Sequence, residues 1–532
     1  MRSVLRGLGS RGAADRGDRG PFIDKRISFG TEFLLIFSCR LLFCSSLTVA
    51  ASAELVVVPS VFEFEAIPGF SMEEIFMLRL NQRAGSLVIS IVAMLLSVVG
   101  DVHAQAGVKT FTGSFADGAT YLIDVPANWN GTLLLYSHGY VIPGTPNPAH
   151  DVGDPLTRSY LLSNGYALAG SSYATTGWAV EQALPDQIAV LDTFNSLVGQ
   201  PSRTIAWGHS LGGMVTAGLV QRFPERFSAA LPMCGVLAGG VGTWNVALDV
   251  EFAFNVLLAQ GTLQVVNITD PLLNLGLAEA ALNTAQSTPQ GRARIALAAA
   301  LGDTPGWFDP LSPRPGAMDF AAQEANQFLW LQQVDFPFVF ALRADLELRA
   351  QGNPSWNTGV DYRKQLERSV DLAEVVALYE EAGLSLDADL ESLNQAARIK
   401  ADSTPLAYLR RNIIFDGQIS IPVLTMHTTG DGLVAVEEER AYGHAIRLAH
   451  DRRWLRQVFV YRAGHCKFTP AETIAAFDTL VERLNTGKWR EVNPQSLNQA
   501  ASALGSEFNI LPPEFIEFEP APFLRPFNAF RH

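Results

Sequence analysis

The stretch GHSLG at 208–212 constrains this chain more than any other. An apolar run at 204–207 leads into it and a helix-like run at 214–222 follows, which predicts a strand, a tight turn and a helix. A serine at the tip of such a turn has a strained backbone, and side chains two positions away on either side would collide with the strand and helix. Glycine at the first and last positions removes both collisions. The stretch therefore predicts an exposed nucleophile, Ser210.

A nucleophile on a strand–helix turn requires an acid and then a histidine later in the chain. His444 and His450 fall in a predicted amphipathic helix, where histidines are usually solvated, and His427 lies inside a predicted strand. His465 follows the apolar run 457–461 on a loop at the carboxyl end of a strand. An imidazole there can reach over the serine, so His465 is the predicted base.

The predicted acid is Asp431. It follows the β-rich run 421–428 and lies in a turn between two glycines, at the top of the strand before the histidine strand. An aspartate in such a turn can instead simply accept hydrogen bonds from backbone N–H groups. Asp335 and Asp249 are the less suitable alternatives for the acid.

An oxyanion hole is predicted from two backbone N–H groups. The apolar strand 132–137 ends in His138-Gly139-Tyr140, and the N–H of Tyr140 is one candidate donor. The other is the N–H of Leu211, the residue after the serine, at the positive end of the following helix. A His-Gly pair at the end of a strand can also be an ordinary turn, but its place in the chain order favours the functional interpretation.

Composition limits the kind of protein this is. Of 532 residues, 48% are hydrophobic and 17% are charged, enough for a large core in two or three compact units. The net charge of −14 argues against a nucleic-acid partner, because phosphates require a basic surface. The predicted chemistry requires no metal ion and no organic cofactor.

The first 106 residues form a predicted leader. Within it, 77–106 has the pattern of a secretory signal peptide: a short basic segment, an apolar stretch at 87–99 and small residues at cleavage spacing. This places the start of translation, as a hypothesis, at Met77. A second apolar run lies at 33–53, and a membrane anchor through either run remains open. The expected location is secreted or periplasmic.

Two cysteines remain after the leader, Cys234 and Cys466. Cys466 follows the predicted catalytic histidine and Cys234 ends the strand after the nucleophile helix, so both should lie at the same edge of the sheet. Export permits disulfides, and we expect these two cysteines to bond and fix the histidine loop. Two buried free thiols are the alternative.

In these motifs the chain resembles the α/β-hydrolase superfamily, over about 110–240 and 419–485. The resemblance implies an eight-stranded, mostly parallel sheet with helices on both faces. The chain is also similar to the tannase and feruloyl esterase group in having a cysteine beside the histidine. In that group this cysteine forms a disulfide with a cysteine next to the serine, whereas here His209 occupies the position next to the serine. The residues that support the elbow and the oxyanion turn are Gly208, His209, Gly212, His138 and Gly139.

The predicted domains follow from this resemblance and from periodicity. The hydrolase core comprises 107–240 and 416–490, and a helical cap at 241–415 is inserted between strands six and seven, where helical spacing replaces strand-like runs. The segment 491–532 is predicted to be an extended tail that wraps the core. Aromatic residues at 328–340 are candidates to line a pocket, although such residues more often belong to an ordinary core.

The resulting prediction is a secreted serine hydrolase that cleaves carboxylic esters of hydrophobic substrates, small or polymeric, through Ser210, His465, Asp431 and an acyl-enzyme. A serine peptidase or an acyltransferase could use the same residues. A binding protein on a hydrolase fold is the alternative of another class, and covalent labelling of the serine distinguishes it.

Overall fold

The computed structural model describes residues 107–490 and 492–527, together with the backbone of two short strands near the N-terminus. In the unit formed by residues 1–70, strand β1 (Leu35–Ser38) pairs antiparallel with β2 (Glu54–Val57). The predicted signal peptide lies outside the described residues. Among those that are described, no helix is both long enough and apolar enough to cross a membrane.

The second unit contains a nine-stranded sheet in its described part, with strand order β11-β10-β9-β8-β7-β5-β6-β4-β3. The strands are β3 (Val108–Ser114), β4 (Thr120–Pro126), β5 (Thr132–Ser137), β6 (Ala167–Ser171), β7 (Arg203–His209), β8 (Ala229–Met233), β9 (Val423–Gly430), β10 (Leu455–Ala463) and β11 (Phe515–Ile516). The six strands from β10 to β6 are parallel, and the pairings at both edges are antiparallel. The mostly parallel α/β sheet is confirmed.

The prediction of eight strands is wrong by one. The additional strand is β11, two residues of the C-terminal segment that pair antiparallel with Phe459 and Val460 of β10. A two-residue strand leaves no alternating or continuous apolar pattern in the sequence, so it was not predicted.

The described part of the second unit contains fifteen α-helices. In chain order they are α1 (Pro155–Ser163), α2 (Val180–Leu197), α3 (Leu211–Arg222), α4 (Gly239–Leu257), α5 (Pro271–Gln286), α6 (Pro289–Ala300), α7 (Phe320–Trp330), α8 (Arg343–Ala350), α9 (Tyr362–Leu366), α10 (Leu372–Ala382), α11 (Leu386–Gln395), α12 (Ser403–Arg411), α13 (Glu437–Leu448), α14 (Pro470–Thr486) and α15 (Pro494–Ala503). Two π-helical turns (Leu331–Asp335 and Phe338–Leu342) and two 3₁₀ turns (Pro224–Arg226 and Arg452–Trp454) accompany them.

Helices cover both faces of the sheet because the central strands are apolar on both sides. In β5, Leu133 and Leu135 pack into one cluster with residues of α2 and α3. Leu134, which points the other way, packs into a second cluster with residues of α1 and α14. The sheet is thereby buried between two layers, and its carboxyl edge is left to carry polar groups.

The helices α4 to α12, residues 239–411, form what we call the helical insert. It lies in the chain between β8 and β9, which are the sixth and seventh strands of the sheet. Its hydrophobic core is a cluster separate from those of the sheet and includes Leu248, Phe254, Leu297 and Phe336. Apolar spacing predicts helices at 246–258, 272–284, 292–301, 320–331 and 370–382, and helices α4, α5, α6, α7 and α10 lie at these ranges. The shorter helices α8, α9, α11 and α12 are not predicted by that spacing.

The C-terminal segment is not wholly extended as predicted. Residues Pro494–Ala503 form α15, which starts where the Asn493 side chain accepts a hydrogen bond from the Ser496 N–H at 2.9 Å. Proline fits the first helical position because its φ angle is already set for a helix. Leu497 and Ala501 are buried, so the helix packs on the core.

Candidate active site

The backbone of Ser210 is strained at the junction of β7 and α3. Its φ and ψ angles are 59° and −125°, which is unusual for a residue with a Cβ. A Cβ on Gly212 would lie 1.9 Å from the Ser137 carbonyl oxygen, and one on Gly208 would lie 2.4 Å from the same atom. Both glycines are therefore required by the close approach of β5, as the sequence predicted, and the serine side chain is left at the tip of the turn.

Asp431 lies directly after β9 and is almost completely buried. Its Oδ1 accepts hydrogen bonds from the N–H groups of Leu433 and Val434 at 3.1 and 3.0 Å. Its Oδ2 accepts one from Nδ1 of His465 at 2.7 Å. Burial opposes ionisation, but His465 and His427 hold the pKa of Asp431 well below its usual value, so the group is a carboxylate.

His465 follows β10 after Gly464, which has a φ of +96° that glycine adopts without strain. Because Asp431 accepts from Nδ1, the lone pair of the neutral ring lies on Nε2. Nε2 is 3.3 Å from Sγ of Cys466. Ser210 and His465 line the same cavity, but within the described residues no hydrogen bond joins Oγ to Nε2.

Cys234, just after β8, and Cys466 form a disulfide with 5.4 Å between their Cα atoms. The bond was expected from the sequence, and it ties the loop that carries His465 to the strand next to the nucleophile strand. It closes a loop across a sequence separation of 232 residues. A cross-link of that span restricts the unfolded chain strongly, and here it also fixes the histidine loop.

The residues of the two predicted oxyanion donors, Leu211 and Tyr140, line the same cavity as the serine. Leu211 is the first residue of α3, so its N–H has no acceptor within the helix. The loop that carries Tyr140 approaches closely, since a Cβ on Gly139 would lie 3.3 Å from the Cβ of Ser210. His138 anchors this loop: its Nε2 lies 3.0 Å from the Ser172 carbonyl oxygen.

His209 has a structural role in this arrangement. Its Nδ1 lies 3.2 Å from the hydroxyl of Tyr136, and the two rings are in edge contact. Burial, and then the proximity of His465, lower the pKa of His209 to about 4, so it is neutral at ordinary pH. Its ring also packs near those of Trp207 and Phe468.

The alternative acids lie elsewhere. Asp249, in α4, is paired with Arg525 and accepts a hydrogen bond from the Tyr362 hydroxyl at 3.0 Å, away from His465. Asp335 ends a π-helical turn of the insert and lines the cavity, but it makes no hydrogen bond to any described residue. Burial, and then the nearby charge of Asp431, raise the pKa of Asp335 well above its usual value.

Sequence reasoning passed over His427 because it lies inside a strand. In the structure it is completely buried, and its Nε2 is 3.5 Å from Oδ2 of Asp431. Its Nδ1 is 3.3 Å from Oε1 of Glu439, at the start of α13. A histidine four positions before the acid, together with an acidic first turn in the next helix, was the only signal in the sequence.

A cavity of about 320 Å³ opens in front of the serine. The sheet loops form one wall and the insert the other, and none of the described lining residues is lysine or arginine. The aromatic lining residues are Tyr140, Trp178, Trp244 and Phe338. Besides Asp335, the lining contains one more acidic residue, Glu438. Its carboxylate accepts hydrogen bonds from the Ala238 N–H at 3.0 Å and from the Thr243 hydroxyl at 2.7 Å.

Comparison with known proteins gives one relative by sequence. The chain is 31% identical over 435 residues to an o-phthalyl amidase of Xanthobacter agilis, a match that covers 76% of this chain and 93% of the relative. The prolyl oligopeptidase family (Peptidase_S9) matches residues 169–238, which include β7, the serine turn and α3.

Among solved structures, an esterase from Aspergillus oryzae aligns at 13% identity with a TM-score of 0.40, covering 72% of this chain and 81% of that one. The acylaminoacyl peptidase of Pyrococcus horikoshii aligns at 10% identity with a TM-score of 0.35, covering 73% and 44%.

Proposed function

This chain belongs to the α/β-hydrolase superfamily, in one family with the o-phthalyl amidase of Xanthobacter agilis, and on that basis we propose that it is a secreted serine hydrolase of carboxylic esters. One observation carries the proposal. Ser210, on a strained turn, and His465, which is hydrogen-bonded to the buried Asp431, lie at the same edge of the sheet and line one cavity.

In the proposed reaction, Ser210 Oγ attacks the carbonyl carbon while Nε2 of His465 takes its proton. Asp431 keeps the proton of the imidazole on Nδ1 and stabilises the imidazolium that forms. The N–H groups of Leu211 and Tyr140 bind the oxyanion. His465 then protonates the leaving alcohol, and water hydrolyses the acyl-enzyme.

The free enzyme requires one adjustment before this step. Nε2 of His465 is in contact with Cys466 Sγ, and Ser210 Oγ does not donate to it within the described structure. Formation of the hydrogen bond from Oγ to Nε2 on substrate binding is therefore part of the proposal. Catalytic hydrogen bonds are often long in free enzymes and shorten in the substrate complex, so this geometry is compatible with the proposed role.

The cavity supports a neutral, apolar acyl group as substrate. A volume of about 320 Å³ is at the small end of ligand pockets, and its aromatic walls favour burial of hydrocarbon or aromatic groups. A substrate with a free carboxylate would meet no described lysine or arginine in the lining, and it would face Asp335 and Glu438. An uncharged ester avoids that cost.

Amide hydrolysis is the second candidate, because the sequence relative is an amidase. The same residues serve both reactions, since His465 can protonate a leaving amine as well as an alcohol. The matched ester and amide substrates in the experiment below distinguish the two.

The experiment uses p-nitrophenyl esters of graded acyl length and the corresponding p-nitroanilides, with the wild type and Ser210→Ala. We expect ester hydrolysis by the wild type and a loss of about 10⁴-fold or more in Ser210→Ala at an unchanged melting temperature. A fluorophosphonate should label Ser210. A folded wild type that neither hydrolyses the panel nor takes the label would contradict the proposal and favour a binding protein.

Secretion is tested separately. The disulfide between Cys234 and Cys466 supports an oxidising compartment. If the signal peptide is used, N-terminal sequencing of the exported protein should find a mature end near Gln105 or Gly107, and an intact Met1 would contradict it.

A further inference from the structure

His427 in β9 is surrounded by hydrogen-bond acceptors. Its Nε2 is 2.9 Å from the Val434 carbonyl oxygen, and its Nδ1 is 3.3 Å from the Glu439 carboxylate. A carbonyl and a carboxylate only accept hydrogen bonds, so both ring nitrogens must carry hydrogen. The completely buried ring is therefore an imidazolium cation.

Glu439 is held in place as the partner of this cation. Its Oε2 accepts hydrogen bonds from the Thr425 hydroxyl and from Nε2 of Gln457, both at 2.5 Å. The same amide nitrogen of Gln457 also donates to the Glu439 backbone carbonyl at 2.8 Å. These donors come from two neighbouring strands, β9 and β10, so the carboxylate is fixed against the sheet on which His427 stands.

On its other side, His427 faces the proposed catalytic acid. Its Nε2 is 3.5 Å from Oδ2 of Asp431, the oxygen that also accepts from His465 at 2.7 Å. The four side chains form a line in which Glu439, His427, Asp431 and His465 alternate between carboxylate and imidazole. A buried carboxylate without a positive partner is costly, and the His427 imidazolium supplies such a partner for Asp431.

We propose that His427, anchored by Glu439, is a positioning residue that keeps Asp431 charged and oriented toward His465. It is not a catalytic residue, because it touches neither the cavity nor the reacting atoms. The inference rests on the proposed function, since it assigns Asp431 to the triad.

Other acidic groups face the same imidazole. Besides Asp431 and Glu439, the side chains of Glu437 and Glu438 lie on α13 near His427, and burial raises the pKa of each to about 7. Burial also opposes the charge on His427, but the hydrogen bonds to Asp431 and Glu439 raise its pKa to about 10. His427 thus keeps its proton across the pH range of an ordinary assay.

Removing this charge should alter the pH profile in a defined direction. Without His427 nearby, Asp431 is a less compensated anion and holds a proton on His465 more strongly. As the pH falls, His465 then becomes protonated, and inactive as a base, at a higher pH than in the wild type. The acid limb of the kcat/KM profile should therefore move to higher pH by about half a unit or more. Because Asp431 is also less firmly held, kcat should fall by about tenfold with little change in KM.

The test compares His427→Gln, Glu439→Gln and the wild type on one p-nitrophenyl ester from pH 5 to about 9, the range over which histidine changes charge. Glutamine at 427 retains an N–H donor for the Val434 carbonyl but has no charge. Glutamine at 439 removes the carboxylate partner while keeping its shape, and it should move the limb in the same direction. His444→Gln, on the exposed face of α13, is the matched control and should have the wild-type profile.

The outcomes separate this inference from the proposed function. An upward shift of the limb with lower kcat in folded variants supports it. A lower melting temperature with a wild-type limb and kcat in both variants would overturn it, because His427 would then be purely structural. If His427→Gln does not fold, Glu439→Gln decides by the same criteria. If the wild type itself is inactive and unlabelled at Ser210, the proposed function fails instead.

Discussion

The sheet edge and the helical insert build the same cavity by different means. Ser210 and Asp431 each follow a strand directly and His465 follows one after a single glycine, so their positions are set by the hydrogen-bonded register of β7, β9 and β10. The insert contributes side chains such as Trp244, which packs in a hydrophobic cluster that the insert shares with the sheet, and Phe338, whose ring contacts that of Tyr140. One wall is therefore fixed by backbone pairing and the other by side-chain packing.

This difference implies that the sheet edge carries out the reaction and that the insert determines which substrate is preferred. Backbone pairing fixes the relative positions of polar groups closely, as a proton-transfer system requires. Side-chain packing tolerates changes of volume and yields a pocket whose size can vary without loss of the fold. Substitutions at the sheet edge should therefore abolish the reaction, and substitutions in the insert should change which substrate is preferred.

Asp431→Asn should have the largest effect. An asparagine cannot accept from Nδ1 of His465 with the same strength and can hold the imidazole in the wrong tautomer, so kcat should fall by about 10⁴-fold. KM for a p-nitrophenyl ester should change little, because Asp431 does not line the cavity. Steady-state kinetics, with melting curves to verify folding, measure both.

The matched substitution in the insert is Asp335→Asn. This carboxyl group lines the cavity but has no hydrogen-bond partner among the described residues, so its amide should reduce kcat by less than about tenfold. Should Asp335→Asn be inactive and Asp431→Asn remain active, the acid would have to be reassigned to the insert, and the comparison between the two walls would fail.

Two glycines, one at the sheet edge and one in the insert, allow the two walls to be compared by the free energy of unfolding. Gly212→Ala places a Cβ 1.9 Å from the Ser137 carbonyl oxygen and should lower the free energy of unfolding by about 3 kcal/mol or more. In α5 of the insert, a Cβ on Gly276 would meet nothing within 4 Å. Gly276→Ala should therefore raise the free energy of unfolding by about 0.5–1 kcal/mol. Urea denaturation measures both, and similar values would refute the contrast.

The disulfide reinforces the sheet edge. Replacing both Cys234 and Cys466 by serine should lower the free energy of unfolding by about 2–4 kcal/mol, because the unfolded chain regains the freedom of a long loop. A reducing agent should lower the melting temperature of the wild type and leave that of the double variant unchanged. A wild type insensitive to reductant under denaturing conditions would show that the bond is absent.

The residues that the sequence predicts are those positioned by strands, and the residues that it misses are positioned by side-chain packing. Ser210, Asp431 and His465 could be predicted because each lies beside an apolar run that identifies its strand, and their order along the chain is diagnostic. His427 and Glu439 could not, since their contact depends on how α13 packs against β9. In the tail, Asn493 and Pro494 were an available helix-start signal that the proline-rich context obscured.

The last prediction concerns Phe338, which lies in a π-helical turn of the insert and contacts the ring of Tyr140 at 5.2 Å between centroids. Phe338→Ala enlarges the cavity beside the serine, so relative kcat/KM should shift toward longer acyl chains by about tenfold. Phe340→Leu is the control, because Phe340 is buried in the core of the insert and does not line the cavity. It should lower the melting temperature without changing the chain-length preference. If Phe338→Ala lowered kcat equally for every chain length, the insert would be contributing to the chemistry as well as to selection.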